Sequence, residues 1–545
     1  METHKVTCHF CSLQDYFALS ADSVQNSANY NPRHSIKAHY TGERPICPRG
    51  NYCIELAQHK KRLGYCRIES ETAKTKEALD YLDEKLHGID TTKTAILLSG
   101  SLPLEIALLT AKLGKAWNTK YIAQIAAEDE IVAKFLNNFS FDSLNEKQIV
   151  LSIGDIFSLH PSIARAIHDA RFSGKKRFLA TIDICTSRTS RFAWSNLIAN
   201  PNRVADIVEA LFKAVAQENY SIEGTGVEKP VFENLAASLG KAESAAILFA
   251  PGVARFTEPE RIAFWAKKLA DSRKFDFATF STGSNGRGIS RILNSSGFVS
   301  TTEVLAAIGN GDIEALMCLG CDPIEAFPGI YGRIKNMKLV AATAAFRTAI
   351  VDNANIVLPA KYLFERKGAL LSLEEKIVVM DDPLPSPDYP GEEAILNYLL
   401  KKENIDISLE QSMIRQQLDS FQFASGEPDR KELSNANLLA IGYHVPHHHG
   451  DGSLTRRSSW VERQAGESDN SVIVGMELAD KLGVRNGDSV IVTTDSGKSE
   501  FGVIIEEDRL DDIILVPAYM PNGRSILGWC NAAGFVPIEA KIEKA

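Results

Sequence analysis

The stretch TAILLSGSLPLEIALLTAKLGKA, residues 94–116, decides how the chain folds. TAILL is a continuous apolar run, Gly100 and Ser101 break it, and PLEIALLTAKLGKA carries apolar residues at helical spacing. This spacing predicts a buried strand, a tight turn and an amphipathic helix. The pattern recurs at QIVLSIGD (148–155) followed by SIARAIHDARFS (162–173), then at RFLATIDI (177–184), AAILFAPG (245–252), ALMCLGCDP (315–323) and KLVAATAA (338–345). Short apolar strands that alternate with helices and close on Gly, Asp or Pro predict an α/β protein with doubly wound parallel sheets. Ligands of such sheets sit beyond the carboxyl ends of the strands, where strand order reverses. Gly100, Ser101, Gly154, Asp155, Asp183, Gly252 and Gly320 are therefore candidates for nucleotide contact.

The flanks differ in texture. Residues 1–70 are polar and rich in cysteine and turn residues, with no stripe long enough for a core of their own, so this segment requires a metal group or a neighbouring domain. Residues 71–240 and 241–400 read as two α/β domains, 401–437 as a polar linker, and 438–545 as a small closed β-barrel of short β-rich runs separated by Asn-Gly, Asp and Ser-Gly turns. A chain of 545 residues exceeds a single core, so about three or four domains are expected. The net charge of −9, without a long basic run, argues against a nucleic-acid partner. No apolar stretch reaches the ~20 residues of a membrane span, and METHKVTCHFC has neither an apolar leader core nor a twin-arginine signal, which predicts a cytoplasmic protein.

Five of the nine cysteines lie before residue 67. Cys8 and Cys11 form a C-x2-C, Asp15 stands where a third cysteine would complete C-x2-C-x3-C, and Cys47 opens Cys-Pro-Arg-Gly. Soft thiolates at such spacing hold iron–sulfur clusters, but C-x2-C serves zinc equally. The alternative is a zinc knuckle of Cys8, Cys11 and Cys47 with Cys53, Cys66 or His9. Cys318 and Cys321 form a second C-x2-C whose apolar flank reads as buried structural thiols.

CHFCSLQD (8–15) with ICPRG (46–50) resembles the N-terminal cluster loop of the molybdopterin oxidoreductase superfamily, which includes formate dehydrogenases, nitrate reductases and the large iron–sulfur subunit of NADH:quinone oxidoreductase. The resemblance continues in order through residues 151–171, 181–193, 314–329, 352–377, HHHGDGSLTRRS (447–458) and 476–492. It implies a [4Fe–4S] cluster on Cys8, Cys11 and Cys47, with the fourth corner taken by Asp15 or by Cys53, or a three-iron cluster. It also implies a double-psi type of C-terminal barrel and, where the cofactor is kept, molybdopterin guanine dinucleotide. Arg49 matches the Lys or Arg between cluster and pterin, where a planar guanidinium can hydrogen-bond both. In the loop 447–458, Gly452, Ser453, Thr455 and Arg456 or Arg457 match a pterin or phosphate cradle, and Glu365 matches a residue that orders a loop near the pterin.

Several positions depart from the family pattern. The segment after WNTKYIA brings a Cys or selenocysteine to the metal in many members, whereas this chain reads QIAAEDE, with Ala126 and Ala127 near that place. Glu128 and Asp129 could supply a carboxylate, but in a polar helix they read as solvated. Gly154-Asp155 replaces Gly-x-Asn, Cys321-Asp322-Pro323 replaces Glu-Asn-Pro, and Ala369 and Ser372 replace Thr and Asn. An added carboxylate beside pyrophosphate disfavours an anion. Asp183 matches the acidic residue that accepts hydrogen bonds from ribose or guanine, and Asp322 remains a candidate for cofactor contact. The resulting expectation is an iron–sulfur electron-transfer subunit of a multi-subunit redox complex, with other iron–sulfur or flavin subunits as partners. The alternatives are an active molybdenum or tungsten oxidoreductase and a zinc-stabilised scaffold.

Overall fold

The computed structural model describes residues 2–21, 36–39, 47–172, 178–381, 383–384, 386–430, 438–465, 470–507, 511–527 and 536–545. The end of the expected linker, 431–437, and much of the segment between Asp15 and Cys47 lie outside the described residues.

The N-terminal segment forms an antiparallel sheet of β1 (Glu2–Thr7), β2 (Tyr16–Ala21) and β3 (Ile36–His39). Two parallel sheets follow. The first combines β4 (Cys66–Ile68), β5 (Glu71–Ala73), β6 (Thr94–Leu98), β7 (Ile122–Gln124), β13 (Ala315–Leu319), β14 (Leu339–Ala344) and β15 (Ile356–Pro359) in the order β5-β4-β15-β14-β13-β6-β7. The second holds β8 (Ile149–Ile153), β9 (Leu179–Asp183), β10 (Ser195–Ile198), β11 (Ala245–Phe249) and β12 (Asp276–Thr279) in the order β10-β9-β8-β11-β12. Every pairing from β8 to β12 is parallel, and in the first sheet only the two pairings of β4, with β15 and β5, are antiparallel. The central strands are buried at every position, as continuous apolar runs covered on both faces require.

The second sheet is an insertion within the first. The chain leaves the first sheet after β7, builds 149–279, and returns at β13. The division placed at 240/241 from the sequence therefore runs through the second sheet, between β10 and β11. Strands of both sheets carry the same apolar signature, so only pairing reveals which belong together. After a hairpin, β16 (Gly368–Leu371) and β17 (Ile377–Met380), a closed six-stranded barrel is formed by β18 (Leu439–Tyr443), β19 (Ser471–Val474), β20 (Ser489–Thr494), β21 (Gly497–Ile505), β22 (Ile513–Pro517) and β23 (Ile538–Lys544). Its interior is the Val, Ile and Leu cluster around Val490, Phe501 and Ile514. No described helix is long and apolar enough to cross a membrane.

Candidate active site

Cys8 and Cys11 lie in the turn between β1 and β2, which is closed by Cys8 N–H to the Asp15 carbonyl (2.6 Å) and Gln14 N–H to the Cys11 carbonyl (3.2 Å). The Gln14 amide ties this turn to the sheet domains by donating to the carbonyls of Ser284 (2.6 Å) and Leu371 (2.9 Å). Cys47 precedes the helix Pro48–Tyr52 and Cys53 follows it. Cys8, Cys11, Asp15, Cys47 and Cys53 are all buried. Burial first, then neighbouring thiols and Asp15, pushes the Cys11 thiol up to about 12 and raises Cys8. Burial likewise raises Cys47, with Asp15 contributing.

Arg49 is 2% exposed, and its guanidinium donates to the carbonyls of Leu159 (2.7 Å), Ser158 (2.7 Å) and Val445 (3.0 Å), joining the cysteine segment to the second sheet domain and the barrel region. Its Nε has no partner, nor do the buried His9 Nδ1, Ser12 Oγ and Gln14 Oε1 around the same turn. The negative groups that Arg49 senses are Cys47, Cys11, Cys53 and Cys8. A buried guanidinium beside neutral thiols lacks a counter-charge, whereas metal binding turns thiols into thiolates. The donor set thus fits a thiolate-bound metal group. Among the described residues no group of three or more His, Cys, Asp or Glu side chains is placed to hold a single metal ion.

The glycine-terminated strands meet at the two positions where strand order reverses. Gly100 and Ser101 follow β6, and Gly320 and Asp322 follow its neighbour β13. In the second sheet Gly154 and Asp155 follow β8, and Gly252 follows β11. Gly154 has φ +88°, and a Cβ there would fall 2.6 Å from the Ala250 carbonyl oxygen, so only glycine fits. The carboxylates selected from sequence are engaged by the protein itself. Asp183 takes both oxygens to Arg255 (2.9 and 2.7 Å), Asp155 accepts from Thr189 N–H (3.1 Å) and Oγ1 (2.7 Å), and Asp322 caps the turn Pro323–Ala326 while accepting from Ile350 N–H (2.7 Å). Glu365 is held bidentately by Arg62 (2.9 and 2.8 Å).

A cavity of about 210 Å³ opens at the β6–β13 reversal. Its walls include Phe10 of the cysteine turn, Gly100, Ser101, Gly320 and Asp322 of the strand ends, Glu128 and Asp129 of the helix Ala127–Ala133, and His449, Ser453 and Arg457 of the 447–458 loop. His449 bridges these parts, with Nε2 2.8 Å from the Thr282 carbonyl oxygen and its ring edge-on to Phe10 at 5.4 Å. Gly452, Thr455 and Arg456 shape the loop from behind. Arg456 donates to the carbonyls of Asp451 (2.7 Å) and Tyr519 (2.6 Å) and pairs with Glu325 (2.9 Å), while Thr455 Oγ1 lies 3.0 Å from His448 Nδ1. A Cβ at Gly452 would fall 2.2 Å from the Tyr519 carbonyl oxygen.

Glu128 and Asp129 are not solvated. Asp129 is fully buried and Glu128 is 8% exposed. Asp129 accepts from the N–H groups of Thr282 and Gly283, the latter at 2.9 Å, and burial followed by the charge of Glu128 raises its pKa. The short helix packs its acidic first turn inward because the loop 282–283 offers two amides there. Cys318 is buried in β13, but Cys321 is only partly buried and lines the cavity, its thiol donating to the Leu97 carbonyl (3.3 Å). Lys361, Arg366 and Arg524 also reach the cavity, and no local motif in the sequence marked them.

The family model for molybdopterin oxidoreductases matches residues 72–387. The chain belongs to the molybdopterin oxidoreductase family. The alpha subunit of F420-dependent formate dehydrogenase 2 of Methanococcus maripaludis is 20% identical over 644 aligned positions, covering 93% of each chain. The alpha subunit of the F420-dependent formate dehydrogenase of Methanocaldococcus jannaschii is 20% identical over 449 positions, 67% of this chain and 65% of that one. Among solved structures, acetylene hydratase from Pelobacter acetylenicus superposes with a TM-score of 0.76 over 99% of this chain and all of that one, at 12% identity. The family model thus spans most of the two parallel sheets, and the superposition extends the likeness in fold to the barrel.

Proposed function

We propose that this chain is the catalytic subunit of a molybdenum- or tungsten-dependent pterin oxidoreductase, rather than the electron-transfer-only subunit suggested by the missing cysteine. The observation that carries this reading is the inner cavity itself, where the cysteine turn, the β6–β13 reversal, buried carboxylates and the 447–458 loop converge. The formate dehydrogenase 2 alpha subunit of Methanococcus maripaludis, matched along 93% of its length, supports the same reading.

Bound in this cavity, the metal–pterin group would supply two-electron redox chemistry. Lys361, Arg366, Arg457 and Arg524 line the cavity and would attract the anionic pterin and its phosphates. Glu128 offers a carboxylate that can hold or release a proton at Oε1, where Thr282 Oγ1 donates at 3.2 Å. His449, lowered to about 4 by burial and Arg49, stays neutral at physiological pH. Cys8, Cys11 and Cys47 would hold a [4Fe–4S] cluster. Asp15, buried in the turn that carries Cys8 and Cys11, and Cys53, buried after the Pro48–Tyr52 helix, are the two candidates for the fourth corner. Electrons would pass by that cluster to an iron–sulfur or flavin partner, and the eight free cysteines among the described residues fit a reducing cytoplasm.

Molybdenum, tungsten, iron and acid-labile sulfide measured on one anaerobically purified sample test this. One molybdenum or tungsten per chain, with pterin released on denaturation, is expected. Iron and sulfide without either metal or pterin would return the chain to an electron-transfer role, and absence of all of them to a scaffold.

A further inference from the structure

The two strand-order reversals offer two crevices for a nucleotide, and they are built differently. The β6–β13 crevice opens into the inner cavity. The β8–β11 crevice is filled by the chain's own segment after β11. Arg255, 4% exposed, reaches Asp183 at the end of β9 and donates from Nε (2.9 Å) and Nη2 (2.7 Å) to its two carboxylate oxygens. The Phe256 ring lies against Gly154, 3.3 Å from where a Cβ would stand, and the Ala250 carbonyl oxygen faces the same glycine. Both stand where a pyrophosphate would approach, and neither offers it a donor. The segment is fixed in place. Ala254 adopts φ +50°, rare for an L residue, and its carbonyl accepts from Gly442 N–H of β18 (3.1 Å), while Val253 N–H donates to His444 Nε2 (3.2 Å). Among the described residues with a buried polar atom left without a partner, none is Asp155, Asp183, Thr189 or Arg255.

We propose that Arg255 occupies the nucleobase position of the second sheet, so that this chain binds a guanine nucleotide at the β6–β13 crevice alone. The proposal rests on the oxidoreductase reading above, and limits its cofactor to a nucleotide on one pterin. Guanine offers a carboxylate two parallel N–H donors, at N1 and N2, and a guanidinium offers the same planar pair. Arg255 therefore satisfies Asp183 as the base would. Being part of the chain, it meets Asp183 without the translational entropy that a free base loses. Charge adds to this, since guanine is neutral whereas Arg255 is a cation facing a buried anion. The neighbouring cleft of about 540 Å³, walled in part by the helix Ala127–Ala133, offers a pyrophosphate no detour. Glu130, Glu258, Glu260 and Glu303 line it, and its Lys134 and Arg261 are paired with Glu260 (2.8 Å) and Glu258 (3.2 Å).

Counting nucleotide on the native chain tests this. Guanosine monophosphate released from the purified holoprotein by acid hydrolysis, added to that bound by the same preparation in equilibrium dialysis, is expected not to exceed one per chain. A sum of two overturns the proposal. Arg255→Ala should open the crevice and bind one guanosine monophosphate more than the native chain, at least about ten-fold tighter than adenosine monophosphate, whose base lacks the paired donors. Adding Asp183→Asn to Arg255→Ala should abolish the gained site and, by removing an unpaired buried charge, raise the melting temperature of the single variant. A folded Arg255→Ala chain that gains no site, or gains one for both bases alike, also overturns the proposal. The native count needs no variant, so it decides even where Arg255→Ala does not fold. Molybdenum and tungsten on the same preparation judge the other reading separately: metal with a sum of two sinks the crevice proposal alone, and a sum of one or none without metal sinks the oxidoreductase reading alone.

Discussion

Asp15 is the residue on which the cluster reading turns. Its carbonyl closes the cysteine turn and its carboxylate is buried within electrostatic reach of three thiols. An oxygen ligand is harder than thiolate, and the iron it holds is the more labile. Asp15→Cys is expected to keep iron and sulfide content unchanged and to slow bleaching of the visible absorption in air, whereas Cys47→Ala should lose both iron and sulfide. If Asp15→Ala preserved the spectrum and the iron count while Cys53→Ala abolished them, the fourth corner would belong to Cys53. Cys53 packs in the same buried cluster as Cys8 and Phe10 of the turn that Asp15 closes, so the two substitutions are needed together to decide the corner.

At the scale of one element, the helix Ala127–Ala133 carries three acidic residues that face inward or onto the cleft. Gly286 must be glycine because Asp129 fills its side: a Cβ there would fall 1.9 Å from Oδ2. Glu130 accepts from Thr301 N–H (2.8 Å), capping the next helix, and burial raises its pKa from 4.5 to about 7. A raised carboxyl binds its proton more tightly in the folded state, so its contribution to stability falls as pH rises between 4.5 and about 7 and is level above that. Glu130→Gln keeps an acceptor for Thr301 without the charge. It should raise the melting temperature at pH 8, by the equivalent of ~1 kcal/mol, and change it little at pH 4.5. An equal shift at both pH values would show that charge is not the cause.

Across the whole molecule, the polar segment after residue 401 acts as a strap rather than a free linker. The helix Gln411–Asp419 buries Ile414, Phe421 is buried and edge-on to Phe423 at 5.3 Å, and Ala424 N–H reaches the Lys134 carbonyl (3.0 Å). Trp265 Nε1 donates to Glu427 at 3.2 Å. The strap therefore touches both sheet domains before the chain enters the barrel. Phe421→Ala should lower stability by about 3 kcal/mol in urea denaturation, the size of a buried phenylalanine lost. A midpoint unmoved by this change would make 401–430 a solvated linker after all. The polar composition hid the strap because only a few apolar residues, Ile414 and Phe421 among them, anchor it.

The sequence by itself determined the class of the fold. Apolar runs such as TAILL and AAILF are buried on both faces wherever they sit, and Gly, Asp or Pro after each run marks the strand's carboxyl end regardless of strand order. The cysteine spacing and Arg49 were legible for the same reason, being local chemistry. Only the tertiary structure decided which strands share a sheet, because pairing of β6 with β13 joins residues some two hundred positions apart and leaves no local trace. It also decided that Asp183 serves Arg255, that Arg457 rather than Arg456 faces the cavity, and that Glu128 and Asp129 are buried. A carboxylate's partner and its dielectric are properties of what folds against it. The site's electrostatics, unlike its strands and turns, could be read only once the chain had closed around it.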